Sequence, residues 1–256
     1  MAIFDPDTTD PTYRGEEAPT QQDWVVGTAS SAGLTRQENQ DAYWADPNRG
    51  FAIADGIGGR PGGGLAASTA IRSFADRLEP QSSMGDTLAA LAAAENDVLA
   101  SRQAAGLDNA GTTFVALTAT RLATCTVVWC GDSRLYRFRD GGLELLTVDH
   151  SLENELLAET GRGIGQSSLR GLPLRALTRY MGVESDFEPD MRILVPKVGD
   201  RYLLCSDGVH GQLSARVIGD VLASATCAGA ATALVGLADL AGGHDNATAV
   251  VADAIG

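Results

Sequence analysis

No stretch of this sequence is long and apolar enough to cross a bilayer. Its start, Met1-Ala2-Ile3-Phe4-Asp5-Pro6, has no basic region followed by an apolar one, so neither a span nor a secretory leader is expected and a cytoplasmic setting is the default. Positive charge is scarce. Nineteen basic residues stand against 33 acidic ones, a formal net charge of −14. Nucleic-acid binding needs a basic footprint; none is visible, and the acidity serves solubility. Lysine is nearly absent, with Lys197 alone; alongside the abundant alanine this reads as coding bias and carries no functional claim. Cysteine is sparse too. Cys125, Cys130, Cys205 and Cys227 form no CxxC pair and have no histidine at zinc-ligand spacing, which argues against a disulfide framework or a zinc site. The first three fall inside apolar, strand-like runs and read as small buried hydrophobes.

What is present is a chain of 256 residues, 44% hydrophobic, enough for one large domain with a sizeable core. Residues 1–22 are polar, carry Pro6, Pro11 and Pro19, and read as a flexible tail; residues 23–256 read as a single domain. Within it, residues 24–30, 42–45 and 51–54 read as strands. Helices are expected at 62–78, after a glycine-rich turn, and at 87–105, rich in Ala and Leu at helical spacing. Strands follow at 112–120, 124–129, 134–139 and 143–146, the last two joined by an Arg139-Asp140-Gly141-Gly142 hairpin turn. A short helix is expected at 151–160, a glycine-rich loop at 161–175, strands at 190–195 and 201–205, helices at 213–224 and 228–241, and a closing strand at 248–253. Short hairpin connections imply antiparallel sheets. Two helix pairs must then cover sheet faces, so the expected fold is α+β, a four-layer α–β–β–α sandwich.

Four aspartates stand out. Asp55 ends the apolar run Phe51-Ala52-Ile53-Ala54 and precedes Gly56; Asp207 ends Tyr202-Leu203-Leu204-Cys205-Ser206 and precedes Gly208. Asp41 follows Glu38-Asn39-Gln40, and Asp245 lies in His244-Asp245-Asn246-Ala247-Thr248. An apolar run ending in Asp-Gly reads as a buried strand that delivers a carboxylate to its mouth. Brought together, such carboxylates repel unless divalent cations neutralise them, and hard ions such as magnesium or manganese prefer all-oxygen sites. Singly, each Asp-Gly is an ordinary turn pair.

With their companions, Arg36 to Asp41, Asp55 to Gly59, Gly111-Thr112-Thr113, Gly131-Asp132-Ser133-Arg134, Leu177 to Gly182, Ser206 to Val209 and Asp245 to Thr248, the motifs resemble in order and separation the metal-dependent protein phosphatases, the type 2C or PPM family. The resemblance covers residues 24–254. It implies two packed antiparallel sheets flanked by helix pairs, and hydrolysis of phosphoserine and phosphothreonine in proteins at a centre of two Mn2+ or Mg2+ ions. It implies that Asp55 bridges both ions, that the Gly56 carbonyl joins it, that Asp207 and Asp245 complete one ion, that Asp41 serves the other directly or through water, and that Arg36 holds the phosphate. Asp132 stays open between a tight-turn role and a ligand to a third, weaker ion shared with Asp207. The chemistry is coherent. Two metals about 3.5–4 Å apart can share and aim a hydroxide, and an arginine fork suits a phosphate. No cysteine nucleophile is called for: Gly131 and Gly211 stand where a Cys-x5-Arg signature from Cys125 or Cys205 would need arginine.

Three positions depart from the family pattern. Gln40 stands where many members have Glu, though some bacterial members also carry Gln there. Arg60 stands where many have a histidine, which leaves water to protonate the leaving group. Gly211 stands where many have a further Asp, so the third site lacks a ligand. Arg134 and Arg179 are expected in structural ion pairs, Thr112 and Thr113 beneath the site, and His244 as an outer group or proton donor. The resemblance implies phosphorylated protein substrates made by a serine/threonine kinase, with the 161–175 loop as a flap beside the cleft; oligomeric state stays open. Two rivals share the motifs: a stress-response phosphatase acting on an anti-sigma antagonist, which usually brings a sensor domain not seen here, and a non-catalytic phosphoprotein-binding module, which would be expected to lack one of the four aspartates.

Overall fold

The computed structural model describes residues 23–58, 62–120, 123–160, 172–182 and 187–255. The segment read as an N-terminal tail lies outside them, as does Arg60 and most of the loop read as a flap. The first half of the fold contains β1 (Trp24–Ser31), β2 (Asp41–Asp46), β3 (Gly50–Ile57), α1 (Gly62–Ala75), α2 (Met84–Ala105), β4 (Gly111–Thr112), β5 (Phe114–Ala119) and β6 (Cys125–Cys130). The second contains β7 (Arg134–Arg139), β8 (Gly142–Leu145), α3 (Leu152–Thr160), β9 (Asp190–Leu194), β10 (Arg201–Cys205), α4 (Asp207–His210), α5 (Ala215–Ser224), α6 (Cys227–Leu240) and β11 (Ala247–Ala254).

The strands form two antiparallel sheets. One runs β1-β11-β10-β7-β8 and the other β2-β3-β5-β6-β9, with β4 attached to β3. Side chains alternate across each strand, which divides the apolar residues into three layers. On β3, Phe51 and Ile53 point between the sheets, where they meet Trp24, Leu117, Leu135, Tyr202 and Val250. Ala52 and Ala54 point the other way, onto Ala66, Ala67, Ala70 and Phe74 of α1 and Leu91 and Ala94 of α2. The other sheet turns Leu203, Cys205, Ala249 and Val251 towards α5 and α6. The four-layer α–β–β–α order expected from the sequence is the one observed.

Local chemistry accounts for the differences. The second helix begins at Met84, ahead of the expected residue 87, because Ser83 and Asp86 make a reciprocal capping box: the Ser83 amide donates to Asp86 at 2.8 Å and the Asp86 amide to Ser83 Oγ at 3.2 Å. The strand expected over 112–120 breaks at Thr113, which turns aside to bind the main chain of Asp55. The β7–β8 hairpin closes as expected, with positive φ at both Asp140 and Gly141. The one-turn helix α4 had no expectation. All four cysteines are free and buried, and among the described residues no helix is long and apolar enough to cross a membrane.

The start of α1 is pressed onto the end of β3. A Cβ on Gly63 would stand 2.7 Å from the Gly56 carbonyl group, and one on Gly56 would stand 2.3 Å from Gly63. Both positions therefore need glycine for contact, and the approach fixes the Asp55-Gly56 end of the strand.

Candidate metal centre

Each aspartate reaches the same end of the sandwich for a backbone reason. Asp41 opens β2 directly opposite Asp55 on β3, so their side chains share one sheet face with Cβ atoms about 5 Å apart. Asp207 follows β10 and Asp245 precedes β11, and those two strands are paired neighbours in the other sheet. Asp132 sits in the turn between β6 and β7, after Gly131 at φ +110°, where a Cβ would press on the Thr113 side chain at 2.7 Å. Asp55, Gly56, Asp132, Asp207 and Asp245 line one cavity of about 320 Å³ with Arg36, Gln40 and Arg175. Asp41 lies close enough for its charge to act on Asp55.

The main chain of Asp55 is held on both sides. Its amide donates to Thr113 Oγ1 at 3.0 Å, and its carbonyl accepts from the Thr113 amide and Thr112 Oγ1, each at 2.9 Å. The two threonines thus lie beneath the site, as expected. Asp41 is gripped by its side chain: Ser206 and Thr248 hydroxyls donate to Oδ2 at 2.8 and 2.6 Å. Its Oδ1 is shut off from solvent and has no donor among the described residues, apart from the Asp55 carboxyl, which can donate to Asp41 when protonated.

The electrostatics are those of carboxylates crowded together. Burial, then Asp41, Asp207, Asp132 and Asp245, hold the Asp55 carboxyl well above the usual range. Burial raises Asp41 to about 6 against the pull of its two hydroxyl donors. Burial and then Asp207 raise Asp132 to about 7. Asp207 is raised by burial and then Asp245, against a hydrogen bond with Asp55 and the charges of Arg36 and Arg175. Among the described residues, one of these five acids has an ion pair: Asp245, which accepts from Arg36 at 2.7 Å. A set of oxygen donors with raised affinity for positive charge, one of them a buried oxygen without a hydroxyl or amide donor among the described residues, fits hard divalent ions. Among the described residues no three of these side chains are drawn into one closed coordination sphere; Asp245 is turned to Arg36 and to the Asn246 amide instead.

Arg134 is chelated by Asp149 at 2.7 to 3.2 Å, and Arg179 meets Asp190 at 3.3 Å, both structural ion pairs as expected. His244 is exposed, and its carbonyl accepts from Thr35. Sequence reasoning missed four residues. His210 is neutral, its pKa lowered to about 4 by burial and then Arg134, and its Nε2–H donates to the Asp132 carbonyl at 2.9 Å. It lies three residues after Asp207, a spacing that would have placed it beside Asp207 had α4 been foreseen. Arg175 lines the cavity with no hydrogen bond or ion pair among the described residues. Ser206 and Thr248 flank Asp207 and Asp245 in the motifs, but nothing in their spacing points to Asp41.

The family model for protein phosphatase 2C matches residues 30–237. The chain belongs to the protein phosphatase 2C family. Among its 2C relatives, the serine/threonine protein phosphatase PstP of Mycobacterium tuberculosis is 36% identical over 236 residues, 88% of this chain and 44% of that protein. The chain therefore spans less than half of that relative's length. The serine/threonine phosphatase stp of Listeria monocytogenes is 29% identical over 86% of this chain and 92% of its own. The crystal structure of M. tuberculosis PstP/Ppp has a TM-score of 0.82 at 32% identity, covering 91% of this chain and all of that one. That of the PstP catalytic domain in complex with two manganese ions scores 0.81 at 31% identity, covering 92% and 100%. Within the 2C pattern, the departure at Gly211 has a geometric side. Its amide donates to the Asp207 carbonyl at 2.7 Å, and a Cβ there would stand 2.7 Å from the same oxygen.

Proposed function

We propose that this chain hydrolyses phosphoserine and phosphothreonine esters in proteins, using two Mn2+ or Mg2+ ions. The observation that carries the reading is the convergence of Asp55, Asp132, Asp207 and Asp245 on one cavity, with Asp41 paired across the sheet from Asp55 and little positive charge to balance them. Family membership and the manganese-bound relative support it. When bound, such ions would supply a deprotonated water as nucleophile and neutralise charge on the phosphoryl oxygens.

The residues divide the work. Asp55, near the end of β3, would serve both ions, with the Gly56 carbonyl beside it. Asp207 and Asp245 would serve one ion and Asp41 the other. Arg36, half-exposed at the mouth, releases Asp245 and presents its planar fork to the substrate phosphate. Arg175, which lines the same cavity, adds a second positive charge for the incoming dianion. Among the described residues no side chain at the site has the placement of a general acid: the His210 ring donates to a carbonyl and His244 is exposed, which leaves the leaving alkoxide to take its proton from water. Asp132 is a turn residue held by His210, and without an acid at Gly211 a third ion has an incomplete ligand set.

We further assign residues 23–256 to one catalytic domain, supported by the extent of the structural matches. Its substrates are the products of serine/threonine kinases, and its setting is the cytoplasm, where four unpaired cysteines stay reduced. Hydrolysis of a phosphothreonine peptide with Mn2+, and its loss on adding a chelator, tests the reading. A chain that binds the peptide without releasing phosphate at any Mn2+ concentration would favour the silent binding module instead.

A further inference from the structure

Asp41 belongs to one sheet, yet the groups that grip it come from the other. Ser206 follows β10, Thr248 lies in β11, and Ser30 is the cross-strand partner of Thr248 on β1. The directions of their hydrogen bonds follow from counting protons. The Asp41 amide donates to Asn39 Oδ1 at 3.1 Å, so the Asn39 amide group is oriented with Nδ2 towards Ser30 Oγ, at 2.7 Å. Thr248 spends its one hydroxyl proton on Asp41 Oδ2 at 2.6 Å. The Ser30–Thr248 contact of 2.7 Å must therefore carry the Ser30 proton. On a second branch, the Thr248 amide donates to Ser206 Oγ at 3.0 Å, and Ser206 passes its own proton to Asp41 Oδ2 at 2.8 Å.

Every donor thus points inward and both branches end on one oxygen. Oδ2 takes both hydroxyl donors, while Oδ1, buried and with no hydroxyl or amide donor among the described residues, is left to face a cation or its water beside the Asp55 carboxyl. We propose that Asn39, Ser30, Thr248 and Ser206 are positioning residues: a one-directional hydroxyl relay that holds the Asp41 carboxylate in a single orientation and thereby sets the affinity of the ion position it serves. The inference rests on reading the site as a divalent-metal centre. Outer partners that orient a metal-binding carboxylate typically change affinity by about 10–100-fold when removed, and hydrogen bonds strengthen where water is excluded, as at the buried Thr248 and Ser206.

The test is a calorimetric Mn2+ titration of the chelator-stripped full chain, with kcat and KM for an aryl phosphate alongside. Thr248→Val keeps the volume and removes the hydroxyl. It is expected to weaken one class of Mn2+ site by about tenfold or more and to lower kcat at limiting Mn2+, with KM for the ester little changed and kcat recovering in excess metal. Thr248→Ser restores the donor and is expected to restore the affinity. Ser30→Ala, at an exposed position, removes only the outer step; a smaller loss of Mn2+ affinity with an unchanged melting temperature is expected, which keeps the relay testable if the valine variant folds poorly. Wild-type Mn2+ affinity in both Thr248→Val and Ser30→Ala would overturn the relay alone, as would a serine variant as impaired as the valine one. A wild-type chain that takes up no Mn2+ would overturn the metal reading and the relay with it.

Discussion

Arg36 donates to Asp245 across 2.7 Å, tying the residue expected to hold phosphate to a residue expected to hold metal. The two side chains are 52% and 37% exposed, so the pair contributes no more than about 0–1 kcal/mol. Arg36 can leave Asp245 at little cost when a stronger cation arrives for the carboxylate and a phosphate for the guanidinium. Replacing Arg36 by alanine should raise KM for a phosphopeptide by about tenfold, the worth of one charge-assisted contact, while Mn2+ affinity stays equal or rises slightly because Asp245 is freed. A marked loss of Mn2+ affinity in that variant would mean that Arg36 organises the ligands instead of the substrate.

Asp207→Asn removes one charge from a like-charged cluster whose members raise one another's pKa. Manganese-dependent hydrolysis of an aryl phosphate should vanish. The chelator-treated variant should melt no lower than chelator-treated wild type, because repulsion is relieved. Retained turnover at wild-type Mn2+ levels would remove Asp207 from the ligand set.

Burial, and after it the neighbouring carboxylates, gives the chelated protein an unusual pH dependence. Asp41 and Asp132, raised from 3.8 to about 6 and about 7, bind more protons folded than unfolded. Their contribution to stability is therefore complete below pH 4 and is lost as pH rises through 6 and 7. Melting temperature in chelator should fall between pH 5 and pH 8, and Mn2+ should flatten that fall by taking the protons' place. Parallel melting curves with and without metal would contradict the cluster.

The contact between α1 and β3 leaves no room for a side chain. Gly63→Ala should cost about 1–3 kcal/mol, the usual penalty for overpacking, read as a lower denaturation midpoint in urea. Because the added methyl presses on the Gly56 carbonyl at 2.7 Å, kcat should fall as well, and by more than in a surface Gly→Ala control such as Gly236, where a Cβ meets nothing within 4 Å.

Much of this architecture was legible before any coordinates. The run Phe51-Ala52-Ile53-Ala54 reads as a buried strand, and the structure turns Phe51 and Ile53 between the sheets and the alanines onto the helices. Asp-Gly after an apolar run marked Asp55 and Asp207, because only a turn residue can follow a buried strand into a cleft. The break at Thr113 was not legible: that residue has strand propensity and stands in a strand-like run, and what diverts it is the Asp55 main chain, 58 residues away. The one-turn helix at Asp207 escaped notice because four residues carry no period.

Sequence by itself determined the layers and the acids, since period-two burial and turn chemistry are local properties that each segment carries with it. Which oxygen of Asp41 stays bare was decided only by tertiary structure. Its donors Ser206 and Thr248 lie 165 and 207 residues away and belong to the opposite sheet. A hydrogen bond is directional and effective only within about 3 Å. It therefore exists only once the buried side chains between the sheets have fixed how one lies on the other.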